Sequence, residues 1–292
     1  MDTLKLPSPA KLNRFLHITG QRDDGYHTLQ TAFQFIDLCD DMQFQRVQGN
    51  DITLHCDHPQ LSRESTENNL VHKAAVLMQE KAQVRHGTPC GVDISLEKRI
   101  PLGGGLGGGS SNAATTLLAL NTLWQVNLSY KELASVSIKL GADVPIFTHG
   151  RNAWAEGIGE QFSDMSLNTP WFLIIHPDCH VSTGEIFSNS RLTRDSEIMT
   201  IADFTEQGTR NDFESLVREL YPEVDNALIW LEQFANARLT GSGSCLFASM
   251  QSRAHAEQTK QLLPNHLRAY VAKGLQTSPT HSALLDALSN TL

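Results

Sequence analysis

The sequence predicts a mixed protein of the α+β class. Strand-like segments recur along the chain, capping residues spell out helix starts, and the two do not alternate in regular βαβ order. Val92-Asp93-Ile94-Ser95-Leu96 alternates apolar and polar residues, the period of a half-buried strand. Gly103 to Gly109 follow, glycine throughout except for Leu106. Next come Ser110-Ser111-Asn112, all favoured N-cap types, and then the apolar run Ala113 to Leu120, which together predict a buried helix. Ser129-Tyr130-Lys131-Glu132 is a capping box, predicting a helix to about Leu140 that stops at a left-handed Gly141. Trp171 to Ile175, bounded by Pro170 and Pro177, predicts a fully buried strand. A second capping box, Ser182-Thr183-Gly184-Glu185, opens a short helix through Phe187. Asn189 to Gly208 is a long polar connection, and Glu214 to Ala235 is helical with a break or restart at Pro222. Leu246-Phe247-Ala248 predicts a short strand after Thr240 to Ser244, and Ala254 to Leu263 a further helix.

A chain of 292 residues suits one large domain or two ordinary ones, each able to bury a core without disulfide or metal staples. The polar stretch near residues 159–170 marks the expected division, giving domains 1–165 and 166–292. A net charge of −9 argues against broad binding to a nucleic-acid backbone, where clustered Lys and Arg would be needed. It leaves room for a small phosphorylated ligand held by one loop. The N-terminus, with Pro7 and Pro9, lacks the apolar core of a secretory signal. No stretch approaches the roughly 18 apolar residues of a membrane span. Cys39, Cys56, Cys90, Cys179 and Cys245 are scattered and form no Cys-x-x-Cys pair, so reduced thiols and a cytoplasmic location are expected. Neither nucleic acid nor membrane is an expected partner; a weak homodimer is compatible with the sequence.

The loop from Pro101 to Asn112 carries the most chemical information. Consecutive glycines let backbone N–H groups approach a ligand, and a helix N-terminus directly behind them favours an anion such as phosphate. A solvated linker would run into polar, unstructured sequence and not into a capped apolar helix. Gly103-x-Gly105-x-x-Gly108 satisfies the dinucleotide pattern formally, but no acidic residue about 20 positions later ends a second strand. No lysine precedes Ser110 as a Walker loop requires, and the protein-kinase and serine-hydrolase signatures are missing. The loop is a phosphate loop of another kind.

Pro101-Leu102-Gly103-Gly104-Gly105-Leu106-Gly107-Gly108-Gly109-Ser110-Ser111-Asn112-Ala113-Ala114 resembles the central ATP-binding motif of the galactokinase, homoserine kinase, mevalonate kinase and phosphomevalonate kinase (GHMP) superfamily. Pro9-Ala10-Lys11-Leu12-Asn13 and Gly20-x-Arg22-x-Asp24-Gly25-Tyr26-His27 narrow the resemblance to the kinases of 4-diphosphocytidyl-2-C-methyl-D-erythritol. Leu140-Gly141-Ala142-Asp143-Val144-Pro145 and Leu239-Thr240-Gly241-Ser242-Gly243 complete the motif set in order along the chain. Local departures are Arg14, where a small or apolar residue is usual, and Gly184-Glu185 beside the expected cytidine pocket.

The resemblance implies a two-domain fold: an N-terminal domain with the ATP loop, a C-terminal ferredoxin-like domain, and the active site in the cleft between them. It implies ATP-dependent phosphorylation of the 2-hydroxyl of the cytidine diphosphate-linked substrate, in the non-mevalonate route to isoprenoids. Asp143 would be the base or orienter of that hydroxyl, with Lys11 beside it as charge partner. Asn13 would hold the erythritol end; Tyr26, His27, Thr183 and Phe187 the cytidine; and Thr240, Gly241, Ser242 and Gly243 the diphosphate. Asn69, Leu70 and Lys98 would contact adenine and ribose, and Pro101, Gly103 to Gly109, Ser110, Ser111 and Asn112 the phosphates. Mg²⁺ would arrive with ATP, held through few protein groups. His55-Cys56-Asp57-His58 contains metal-ligand types packed too tightly for a tetrahedral site and reads as a solvated strand-to-loop segment. The alternatives are a superfamily kinase with a mevalonate- or homoserine-like acceptor, against which Tyr26-His27 argues, and a non-catalytic sensor, against which Lys11 and Asp143 argue.

Overall fold

A computed structural model describes residues 2–63, 65–204 and 209–289. The chain opens with a hairpin of two long strands, β1 (Thr3–Gln21) and β2 (His27–Val47), turned at Gly25 with φ 86. It continues through β3 (Ile52–Cys56), α1 (Leu70–His86), β4 (Gly91–Glu97), α2 (Gly108–Leu123), α3 (Tyr130–Ser137) and α4 (Val144–His149) to the hairpin β5 (Ala153–Glu156) and β6 (Gln161–Asp164). These strands form one sheet in the order β3-β4-β2-β5-β6, with β1 antiparallel to β2. Pro7 and Pro9 lie in β1, whose ladder there is with β2, so their missing N–H groups break no second ladder.

The second sheet runs β10-β7-β9-β8, built from β7 (Trp171–His176), β8 (Ala237–Leu239), β9 (Leu246–Met250) and β10 (Arg268–Lys273), all antiparallel. Helices α5 (Thr183–Ser188), α6 (Glu214–Leu220) and α7 (Pro222–Glu232) follow β7, and α8 (Arg253–Gln261) follows β9. This strand order with two helical crossovers is the ferredoxin-like arrangement expected of the C-terminal half. Helix α9 (Pro279–Ser289) crosses back to the first sheet, where Thr280 Oγ1 donates to the Pro7 carbonyl at 2.7 Å. Among the described residues no helix is long and apolar enough to cross a membrane.

Two cores result. Phe44, Ile94, Met78, Leu117 and Leu120 are fully buried in the first, and Leu173, Val217, Leu228 and Leu246 in the second. A third cluster joins the sheets, bringing Ala10, Leu12 and Ile36 of the long hairpin against Phe172, Ile174 and Phe247. β1 belongs to all three: Leu4 and Leu6 face the first core, Ala10 and Leu12 the seam, Leu16 and Ile18 the second core. Arg14 lies in the seam, with its guanidinium over the Phe172 ring at 5.1 Å and donating to Gln34 Oε1, so the unusual residue is absorbed by packing between the sheets.

The expected elements form, with shifted boundaries. Helix α2 begins at Gly108, earlier than Ser110, and its N-cap is Gly107 at φ 73. Ser111 and Asn112 are buried inside the first turns, where their side chains bond other segments and do not cap the helix. The Ser129 capping box forms, but α3 ends at Ser137 and Gly141 has φ 157, outside the left-handed helical region. Short i→i+3 bonds from Lys139 N–H to Val136 O and Leu140 N–H to Ser137 O finish the helix there. Pro222 is the first residue of α7, resolving break against restart. The connection after Asn189 contains one short 3₁₀ turn, Ile201–Asp203, and residues 205–208 of it lie outside the described ones. Replacing the fully buried Leu117 by Ala will cost roughly 2–5 kcal/mol, by analogy with large-to-small core substitutions. Urea denaturation checks it: the midpoint falls while the slope stays unchanged.

Candidate active site

The site grows from a register shift. Between Pro9 and Lys11 the β1–β2 pairing slips, and the bulge helps turn Lys11 inward until its side chain is 2 % exposed. Its backbone N–H donates to Leu106 O at 3.0 Å, while Nζ donates to Asn13 Oδ1 at 2.6 Å and Gly105 O at 3.0 Å. Asp143 Oδ2 stands 3.3 Å from the same Nζ. Asp143 occupies the N-cap position of α4 yet makes no side-chain cap, and its side chain is 44 % exposed. A buried cation thus meets a carboxylate that helix capping leaves available.

The two glycine turns are laced together. Cys245 N–H donates to Gly104 O at 3.1 Å, and Asn13 N–H donates to Thr240 Oγ1 at 3.0 Å. Gly105, at φ 73, lies so close to the Thr240 turn that a Cβ would fall 2.2 Å from the Thr240 carbonyl oxygen. A Cβ on Gly107 would come within 2.8 Å of Phe147 and 3.2 Å of Lys11 Cε. The first intrahelical bond of α2 runs from Ser111 N–H to Gly107 O, leaving the N–H groups of Gly108, Gly109 and Ser110 at the positive end of the helix.

Beneath the loop lies a buried polar network that the sequence reading missed. Asp40, fully buried, accepts from the backbone N–H groups of Arg99 (2.7 Å) and Ile100 (2.9 Å), from Asn112 Nδ2 (2.8 Å) and from Lys98 Nζ. Lys98 Nζ also donates to Asn112 Oδ1 at 3.0 Å, Asn112 Nδ2 donates to Ser8 Oγ at 2.9 Å, and the Ser8 and Ser111 hydroxyls share a 2.8 Å bond. Lys98, Ser111 and Asn112 are therefore brought together as struts under the loop. Asp40 was legible in principle, since it falls in the same strand phase as the buried Met42 and Phe44. Asn69 caps α1 by accepting from the Val71 N–H at 2.9 Å, and Leu70 lies against Gly109.

A cavity of about 480 Å³ opens over Lys11, Asn13 and Asp143 and extends past Gly103, Gly105 and Ser110 to Thr183, Phe187 and Gly241 to Gly243. Thr183 Oγ1 and Ser242 Oγ are 2.6 Å apart across it. His180, which the sequence reading passed over, lines the same wall beside Gly103. Asn211 supports the second turn by donating to Leu239 O (3.0 Å) and Gly241 O (2.8 Å). At the far end His27 stacks on Phe187, ring centroids 4.8 Å apart, and burial followed by the Arg194 charge lowers its pKa. Tyr26 stands outside that stack, 59 % exposed. A larger cavity of about 780 Å³ lies beyond α4, around Tyr130, Phe162 and His281, and contains none of the expected site residues. His55 and Asp57 serve structure: His55 pairs with Asp93 at 3.2 Å, and Asp57 Oδ1 accepts the Lys98 N–H at 2.9 Å.

The family model for the GHMP kinases N terminal domain matches residues 69–151, and that for the GHMP kinases C terminal domain matches residues 193–269. The chain belongs to the GHMP kinase family. It is 48 % identical over 284 residues to the 4-diphosphocytidyl-2-C-methyl-D-erythritol kinase of Marinomonas sp. (strain MWYL1), covering 97 % of this chain and 91 % of the relative. It is 50 % identical over 281 residues to the enzyme of the same name from Pseudomonas aeruginosa (strain LESB58), covering 96 % and 97 %. A crystal structure of 4-(cytidine 5'-diphospho)-2C-methyl-D-erythritol kinase superposes with a TM-score of 0.79 at 31 % identity, covering 93 % of this chain and 99 % of that one.

For a GHMP kinase built this way, Gly105→Ala and Gly109→Ala should part company. The first drives a methyl group into the Thr240 carbonyl, whereas at Gly109 the nearest atom is a Leu70 methyl at 3.8 Å. Gly105→Ala is expected to lower the melting temperature and abolish detectable ATP binding, while Gly109→Ala retains both, as measured by thermal melts and calorimetric titration with ATP.

Proposed function

We propose that this GHMP kinase transfers the γ-phosphoryl group of ATP to the 2-hydroxyl of 4-diphosphocytidyl-2-C-methyl-D-erythritol. The observation that carries the reading is the 3.3 Å pair of a buried Lys11 and a half-exposed Asp143, in a cavity wall shared with the glycine loop. The acceptor O–H gives its proton to an Asp143 carboxylate oxygen as its oxygen bonds the γ-phosphorus. The bond from that phosphorus to the bridging oxygen breaks, and ADP leaves. Lys11 pairs with Asp143 before transfer and stabilises negative charge during it. The free N–H groups of Gly108, Gly109 and Ser110 receive phosphate oxygens, with Asn69 and Leu70 at the adenosine end.

At the acceptor end, Asn13 holds the erythritol hydroxyls and the turn Thr240 to Gly243 closes over the diphosphate. The cytosine lies among Tyr26, His27 and Phe187, with Thr183 beside it. Mg²⁺ would come as a companion of the nucleotide, held largely through phosphate oxygens. Asp143 and the Ser110 hydroxyl, which both line the cavity, would hold it, and when bound it would neutralise phosphate charge. We place the boundary between the two halves at 165/166, with α9 returning to the first, and the enzyme in the cytoplasm.

Asp143→Asn is expected to fold as the wild type and lose roughly 10²–10⁴-fold in turnover, the usual worth of a positioned base. A coupled assay for ADP release, with the cytidine substrate and mevalonate as control acceptor, measures it; near-wild-type turnover removes Asp143 from the mechanism. Tyr26→Ala is expected to raise the KM for the acceptor about tenfold and leave the KM for ATP unchanged, the loss of one base-stacking contact.

A further inference from the structure

The cytidine end is held by a residue that no motif announces. Arg194, in the connection after α5, donates Nε–H to His27 Nε2 at 2.9 Å. The same guanidinium donates to Leu192 O (3.0 Å), Phe187 O (2.7 Å) and Asn189 O (2.8 Å), satisfying carbonyls at and beyond the C-terminal end of α5. One side chain therefore fixes both members of the His27–Phe187 stack, whose planes are 28° apart.

A guanidinium has five donors and no acceptor, and it stays protonated. Its bond to Nε2 requires that nitrogen to carry a lone pair, so the proton of neutral His27 must reside on Nδ1. Protonating Nε2 would set two N–H groups against each other at 2.9 Å. The charged groups near the ring agree with this. Arg22 and Asp24, across the hairpin turn, pair with one another at 2.7 Å. Among the described residues no carboxylate lies within ion-pair distance of Arg194 or His27 to offset the guanidinium charge. Burial and that charge both lower the His27 pKa, which keeps the ring neutral at pH 7.

We propose that Arg194 is a positioning residue that sets base specificity by holding His27 as its neutral Nδ1–H tautomer, so that the ring offers a hydrogen-bond donor to a pyrimidine edge. Cytosine presents adjacent acceptors at O2 and N3, whereas uracil carries N–H at position 3 and would meet donor with donor. Both bases accept at O2, so the discrimination lies at position 3, where a ring donor meets a lone pair in cytosine and an N–H in uracil, a mismatch that strands buried polar groups. Without Arg194 the ring is free to take the Nε2–H form that isolated imidazole favours, turning Nδ1 into an acceptor. The inference rests on the cytidine reading above.

Two measurements on the full-length chain test it. ¹⁵N spectroscopy of the histidine rings should show wild-type His27 neutral with its proton on Nδ1, a readout that needs no variant to fold. In Arg194→Met the proton should move to Nε2 and the titration rise toward the ordinary 6.5. Calorimetric titration should show wild type preferring CDP to UDP by about tenfold or more, the scale of one lost polar match. Arg194→Met should bring the two affinities within about threefold, and Arg194→Lys, which keeps the charge but has a single donor nitrogen, should fall between. An Nε2–H or doubly protonated ring in the wild type overturns the proposal, as does a folded Arg194→Met with an unchanged CDP-to-UDP ratio. A wild type that shows the Nδ1–H ring and selects CDP yet releases no ADP would support this inference while ending the kinase reading.

Discussion

An ammonium group taken out of water must be surrounded by oxygen, and that requirement organises the centre of this protein. Lys11 is buried, and its solvation shell is replaced by Asn13 Oδ1, Gly105 O and Asp143 Oδ2. These oxygens come from β1, from the glycine loop and from the N-terminal end of α4, so no one segment satisfies the charge alone. Removing any of them would leave an under-solvated cation, which costs far more than an exposed ion pair is worth. The placement of three distant chain segments is thus coupled to one charge. The glycines follow from it, because only a backbone without Cβ atoms brings Gly105 O and the Thr240 turn together around that nitrogen.

Asp40 repeats the device with the sign reversed. It is wholly buried and takes four donors, two from backbone N–H groups and two from the side chains of Lys98 and Asn112. Lys98 and Asn112 bracket the glycine loop, one just before it and one in the first turns of α2. Asp40 therefore fixes the two ends of the loop relative to β2, while Lys11 fixes its middle. The loop owes its shape to buried charges on either side of it, and its own residues contribute mainly freedom from side chains.

How much of this was legible in the sequence follows from the range of the interactions. Capping at Ser129 and an interruption at Pro222 depend on residues a few positions apart, and both formed as read, the structure choosing restart over break at Pro222. The start of α2 did not, because Ser111 and Asn112 were claimed by Ser8 and Asp40, partners 103 and 72 positions away. The long β1–β2 hairpin was invisible to a period-two reading, since β1 contributes to four apolar clusters and is buried at every residue from Ser8 to His17. Lys11, Asn13 and Asp143 were found through motif resemblance, and their composition alone would have left them as solvated surface groups. Arg194 and His180 had neither periodicity nor motif to mark them; only the folded chain puts one against His27 and the other beside Gly103.

The net charge of −9 now has a physical reading at the site. On the proposed reading, phosphate would be held by neutral N–H groups at the start of α2 and by the Lys11 cation, with Lys98 already paired with Asp40, so no basic patch is needed. Such a surface would discriminate little among phosphorylated ligands, since backbone N–H groups treat every nucleotide tail alike. Discrimination between acceptors must then come from groups with fixed donor and acceptor patterns, some distance from the phosphates. His27 is such a group only if its proton is assigned, because an imidazole free to exchange tautomers can meet either a donor or an acceptor. On the inference above Arg194 removes that freedom, and its bonds to Phe187 O and Asn189 O tie down the end of α5. On the two proposals taken together, the molecule divides its work by chemistry: backbone and buried lysine for the phosphoryl group, and one arginine-held imidazole for the identity of what receives it.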